Sequence, residues 1–154
     1  RAEYIRKGTK WSTVEDNRRR MLDTCPNVDF YISPTLSIMN AMHITDFHKD
    51  WVEKGLLKHQ DLNINILQDP MHYRIDIAPE HYKDKIRTKF QEHIEWLMPH
   101  DDLQRATNGF ISALNYLDVN NTNYLKTFWE KTNQLDEIRN ENIFDSIPEL
   151  KEIQ

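Results

Sequence analysis

Between Asn27 and Asn40 apolar side chains alternate with polar or small ones. Val28, Phe30, Ile32, Leu36 and Ile38 fall on one parity, and Asp29, Ser33, Thr35 and Ser37 on the other; Tyr31 is the one large side chain on that second face. A period of two marks a strand with one buried face, so a strand is expected over 28–40, with a bulge or an unpaired edge at Pro34. The alternation returns at Leu62, Ile64 and Ile66, ended by Asp69-Pro70, and again at Tyr73, Ile75 and Ile77, a short third extended segment. The spacing switches to three and four around these stretches. Ser12 opens S-T-V-E, a capping box with Glu15, and Trp11, Val14, Arg18, Met21, Leu22 and Cys25 follow as the stripe of an amphipathic helix stopped by Pro26. A second helix is expected over 41–54, with Ile44, Phe47, Trp51 and Met42 as its apolar stripe and Gly55 as its C-terminal cap.

The order helix, strand, helix, strand predicts an α/β protein with parallel strands joined by crossovers. After Pro79 the pattern is helical only. One helix carries Tyr82, Ile86, Phe90, Ile94 and Leu97; a second starts near Asp101 and turns Leu103, Ala106, Phe110, Leu114 and Leu117 inward, with Gly109 as a weak spot. A third runs over 122–139 with Leu125, Phe128, Leu135 and Ile138 on its face, and Ile147-Pro148-Glu149-Leu150 ends the chain in packed structure. The chain thus divides into an α/β part, 1–78, and a helical part, 79–154, packed on it.

Composition narrows the function. The 154 residues carry a formal net charge of -5, so no basic surface for nucleic acid is expected. Charged residues make up 29%, yet 4 Trp, 6 Tyr and 6 Phe argue against disorder. No apolar run has the length of a membrane span. Three glycines leave no Gly-rich phosphate loop. A single cysteine, Cys25, makes neither a disulfide framework nor a cysteine-only metal site, and its place before Pro26 suits a buried small hydrophobe. A cytoplasmic location is the expectation.

Seven histidines raise the question of a metal. His43 and His48 are five apart and point to different sides of a helix, and nothing like H-E-x-x-H is present, so structural or solvated histidines are expected. Asp101 reads as a helix N-cap, Asp102 as a first-turn acid, and Glu92 and Glu95 as solvated. The best site candidates are Thr35, Ser37 and Asn40, at the C-terminal end of the first strand, where α/β scaffolds meet their ligands. Hydroxyls and an amide there suit an amino acid or ribose moiety. The competing reading makes Asn40 a helix cap and Thr35 and Ser37 spacers.

At these residues the chain resembles a known family. Tyr4-Ile5-Arg6-Lys7-Gly8-Thr9-Lys10-Trp11, an Asn17-containing helix, and a strand ending Thr35-Leu36-Ser37-Ile38-Met39-Asn40 look like radical S-adenosylmethionine enzymes, more narrowly the twitch-domain proteins of phages and bacteria. The strand end Asn65 to Pro70, the turn Ile77-Ala78-Pro79 with Lys83 or Lys85 beyond it, and the tail Leu135-Asp136-Glu137-Ile138-Arg139 with Ile147-Pro148-Glu149-Leu150 resemble that family too. The resemblance implies the back half of a partial (β/α)6, TIM-like barrel followed by a helical C-terminal region. It implies an enzyme that cleaves S-adenosylmethionine at a [4Fe–4S] cluster, forming a 5′-deoxyadenosyl radical that acts on an unknown substrate. It also implies a cofactor-facing strand end at Thr35, Ser37 and Asn40, Arg6 on the preceding loop, and Leu67 and Gln68 where adenine binds in relatives. The family holds its cluster on C-x3-C-x2-C, and this chain departs there: Cys25 is its only cysteine. The missing N-terminal half of the same protein is therefore the expected partner, the chain opening on Arg1 within a structured-looking pattern, and the chain alone is expected to be inactive. The rival expectation is a small non-catalytic α/β module whose Trp51, Trp96 and Trp129 dock a protein partner.

Overall fold

The computed structural model describes all residues, 1–154. In chain order it holds α1 (Ala2–Ile5), α2 (Trp11–Thr24), β1 (Thr35–Leu36), α3 (Ile44–Glu53), β2 (Asn65–Ile66), α4 (Glu80–Leu97), α5 (Arg105–Leu117), α6 (Leu125–Arg139) and α7 (Ile143–Ser146). Single 3₁₀ turns lie at Met71–Tyr73, Ile75–Ile77 and Thr122–Tyr124, and a longer one at Pro148–Ile153.

The two strands are parallel, as the helix–strand order predicts, with Thr35 opposite Asn65 and Leu36 opposite Ile66. The same register reaches back to a bridge between Ile32 and Leu62. Formal strand covers far less than the 28–40 expected, and Pro34 is one reason. Ile32 both donates to Asp61 O and accepts from Asn63 N, and Pro34 O accepts from Asn65 N, but Pro34 has no N–H to complete the ladder between them. Val28 is 59% exposed, so the alternation at the start of this stretch buries nothing. At the other end the chain leaves the sheet after Leu36 and winds through a turn over 38–43, which delays α3 to Ile44. The third extended segment is absent: two 3₁₀ turns, Met71–Tyr73 and Ile75–Ile77, stand in its place with only Arg74 extended between them. Ile75, Asp76 and Ile77 are all buried there, Asp76 because it pairs with Arg74 and accepts from Asn121.

The core lies between the sheet, α3 and the C-terminal helices. Leu36, Ile38, Trp51 and Leu62 meet Tyr82, Phe90, Phe110 and Phe128 in one cluster that draws on both halves of the chain. Helix α5 approaches β2 closely at Gly109, where an added Cβ would stand 3.1 Å from Ile64 Cβ; this glycine serves packing rather than marking a weak spot. Helix α2 departs most from expectation. It buries no residue, Cys25 beyond it is exposed rather than buried, and Ser12 does not cap it. Instead Glu3, folded back from α1, accepts from the Trp11 amide at 2.8 Å, while Glu15 pairs with Arg19 and Lys54. Leu103 and Ile138, expected to face inward, are 59% and 81% exposed. No helix is long and apolar enough to cross a membrane.

Candidate functional site

The ends of β1 and β2 open into a cleft of about 340 Å³. Thr35, Ser37 and Asn40 line it from the first strand and Leu67 from the second, with Tyr4, Tyr73 and Arg139 closing it from α1, the turn before α4 and the end of α6. Four of the residues singled out by sequence are thus brought together. Arg6 and Gln68 are not among the lining residues. Arg6 is exposed, and Gln68 accepts from the Tyr116 hydroxyl at 3.2 Å on the exposed side of the strand end. A larger cleft of about 660 Å³ adjoins the first at Asn40 and Ile5, lined in part by Ile32 and Pro34 and by the mutually packed rings of Trp11, Phe47 and Trp51.

Asn40 does something neither sequence reading contains. Its side-chain Oδ1 accepts from Ser37 N at 2.8 Å and its Nδ2 donates to Thr35 O at 2.9 Å. It therefore stitches the chain where it turns out of the sheet, and it does not cap α3, which has no side-chain cap. Asparagine suits this because its amide donates and accepts at once. With the backbone of Thr35 and Ser37 held this way, both residues line the cleft, Ser37 buried and Thr35 exposed.

The far wall is aromatic and cationic. Tyr4 is buried and donates its hydroxyl to Asp136 at 2.7 Å. Burial raises the Tyr4 phenol well above its ordinary range, with the bond to Asp136 adding to it, and burial also raises Tyr73; the Arg139 charge pulls both partly back. Both phenols therefore stay protonated at neutral pH.

A second cluster escaped the sequence reading altogether. His48 on α3 and His93 on α4 are both fully buried, with His48 Nδ1 and His93 Nε2 3.0 Å apart. Trp96 packs edge-on to His48 and against His59, which in turn lies against His100. Burial pushes His48 down to about 4, His59 adding to it, and His93 down to about 3, with His48, Lys49 and Lys89 adding to it. A proton cannot bind there without a buried charge. The pair is 45 residues apart in the chain, so no motif spacing marks it. No group of three or more histidine, cysteine, aspartate or glutamate side chains is arranged to hold a metal ion.

Of the three tryptophans proposed to dock a partner, Trp51 is 2% exposed and belongs to the core. Trp129 is half-buried with its indole N–H on Ile153 O at 3.0 Å. The chain matches no protein-family model, and no curated protein or solved structure is significantly similar to it.

Proposed function

We propose that this chain is the C-terminal portion of a radical S-adenosylmethionine enzyme of the twitch-domain type. In this reading it contributes the last strand–helix units of a partial barrel and a helical region behind them, and its strand-end cleft is part of the cofactor site. One observation carries the reading: two parallel strands joined through a helix end side by side at a mostly apolar cleft with a few polar side chains, the position where α/β scaffolds bind ligands. The backbone groups of Tyr31 and Ser33, on the side of the β1 segment away from β2, have no backbone partner, which suits a sheet continued by further strands of the same protein.

The iron–sulfur cluster does not fit this chain. Such clusters are held by several cysteine thiolates, and the one thiol, Cys25, is exposed beyond the end of α2 and outside the residues of the cleft. The cluster belongs to the N-terminal half of the protein in this reading. S-adenosylmethionine fits better: the Thr35 and Ser37 hydroxyls suit ribose or aminoacyl groups, and the Tyr4 and Tyr73 rings suit an apolar or aromatic body. When bound, it supplies a sulfonium carbon–sulfur bond open to reductive cleavage. The chain's own part is to bind and orient: Asn40 fixes the strand end, and the buried wall of Tyr4 and Met39 limits water.

Titration of the ¹⁵N-labelled chain with S-adenosylmethionine tests this, with amide shifts expected at Thr35, Ser37 and Leu67. The coding sequence preceding Arg1 is expected to carry C-x3-C-x2-C. The longer protein, reconstituted anaerobically with iron and sulfide, is expected to release 5′-deoxyadenosine on reduction. Unmoved amides together with an upstream sequence free of that motif would overturn the proposal.

A further inference from the structure

We propose that Arg139 anchors a carboxylate in the strand-end cleft, so that the site takes small, amino-acid-like carboxylate ligands. This rests on the reading of the cleft as a small-molecule site and adds the charge of what it takes. Arg139 is the only charged side chain that lines the cleft. It stands in the last turn of α6, half-buried, and its one hydrogen bond within the protein is to the Tyr4 carbonyl, at 3.3 Å. That leaves most of a five-donor fork uncommitted. On its own helix Asp136, one turn before it, is engaged elsewhere, its Oδ1 accepting from the Tyr4 hydroxyl and its Oδ2 from the Ile143 amide at 2.8 Å, and Glu137 is exposed.

A half-buried guanidinium without a carboxylate partner, in a cleft lined otherwise by uncharged residues, lacks an anion. A carboxylate matches its fork in two parallel bonds. A cleft of about 340 Å³ is at the small end of ligand sites, which suits one carboxylate-bearing end of a molecule against the Tyr4 and Tyr73 rings. The carboxylate has two sources, the aminoacyl end of S-adenosylmethionine or a separate carboxylate substrate, and the experiment separates them.

Calorimetric titrations compare two probe pairs on the intact chain: S-adenosylmethionine against its decarboxylated analogue, and 4-hydroxyphenylacetate against 4-hydroxyphenylacetamide. The carboxylate of at least one pair is expected to bind tenfold or more tighter than its neutral or decarboxylated counterpart, the range of a charge-assisted hydrogen bond. Arg139→Gln is expected to erase that preference, and Arg139→Lys to restore part of it. The preference of the unmodified chain is itself decisive should Arg139→Gln fail to fold. Preference in the first pair supports both this inference and the cofactor reading. Preference in the second pair alone supports the inference and removes S-adenosylmethionine from the cleft. No preference in either pair, or one that survives Arg139→Gln, overturns the inference.

Discussion

Asn40 is a single side chain on which the geometry of the strand end depends. Two hydrogen bonds, to Ser37 N and Thr35 O, hold the chain where it leaves the sheet. Asn40→Ala leaves both backbone groups to find water, and a loss of about 1–3 kcal/mol is expected, read from the shift in urea midpoint. Asn40→Asp keeps the acceptor for Ser37 N but sets an oxygen against Thr35 O, so it is expected to recover only part of that loss. His48 and His93 give a second prediction at this scale. Both are held neutral in the fold, His48 at about 4 and His93 at about 3, against about 6.5 in an unfolded chain. A lowered value means that the unfolded chain takes up protons first as pH falls. The stability from this pair is therefore complete above about pH 6.5 and drains away from there down to about pH 4 for His48 and about pH 3 for His93. At pH 5 the loss is on the order of 2 kcal/mol for each imidazole. Urea melts at pH 7 and pH 5 check it: His48→Leu with His93→Leu is expected to show a smaller drop than the unaltered chain.

At the scale of elements, the contact of α5 with β2 is governed by Gly109. Alanine in a helix interior ordinarily gains about 1 kcal/mol over glycine. Here the new methyl would press on Ile64 Cβ, which is fixed to the strand backbone and cannot turn aside as a flexible side-chain end would. Gly109→Ala is expected to lower the melting temperature, the overpacking outweighing the helix propensity. A gain would mean that the helix slides away from the strand freely. Helix α2 stands at the opposite extreme. It is held by Trp11, by the Glu3 bond at its start, and by Arg18, which donates to Leu56 O at 2.7 Å and stacks on Phe30. Val14, Met21 and Leu22 remain more than a third exposed, so amides of α2 are expected to exchange faster than those of α4, whose Tyr82, Ile86 and Phe90 are fully buried.

For the whole molecule, the asymmetry of the sheet matters most. Beside β2 lies α5, while Tyr31 and Ser33 present unpaired backbone on the β1 side, with Val28 and Tyr31 exposed nearby. An open, partly apolar edge invites pairing with another chain. The isolated chain is expected to self-associate as concentration rises in sedimentation velocity, and Ser33→Lys, a charge on that edge, to reduce it. A monomer that melts cooperatively at all concentrations would remove this argument for a continued sheet.

Much of this was readable from the chain alone. The period of three and four placed α3 to α6 at their observed positions to within a few residues, because each buries a stripe against one core, and it placed α2 as well although that helix buries nothing; the helix–strand order implied parallel pairing. The polar end of the first strand marked Thr35, Ser37 and Asn40 of the cleft, since strand ends are where side chains leave the core together, whereas Leu67 came only with the family resemblance. What the tertiary structure decided depends on partners far along the chain. Alternation reports burial on one face, but a ladder needs a donor at each step, and Pro34 lacks one. The engagement of Asn40 with both Thr35 and Ser37 follows from a turn that no spacing announces. The burial of His48 against His93, and the arrival of Arg139 beside Thr35, join segments whose separation in sequence carries no signal. Local periodicity determines which faces are buried; only the packed fold determines which groups meet there, and so which charge the cleft lacks.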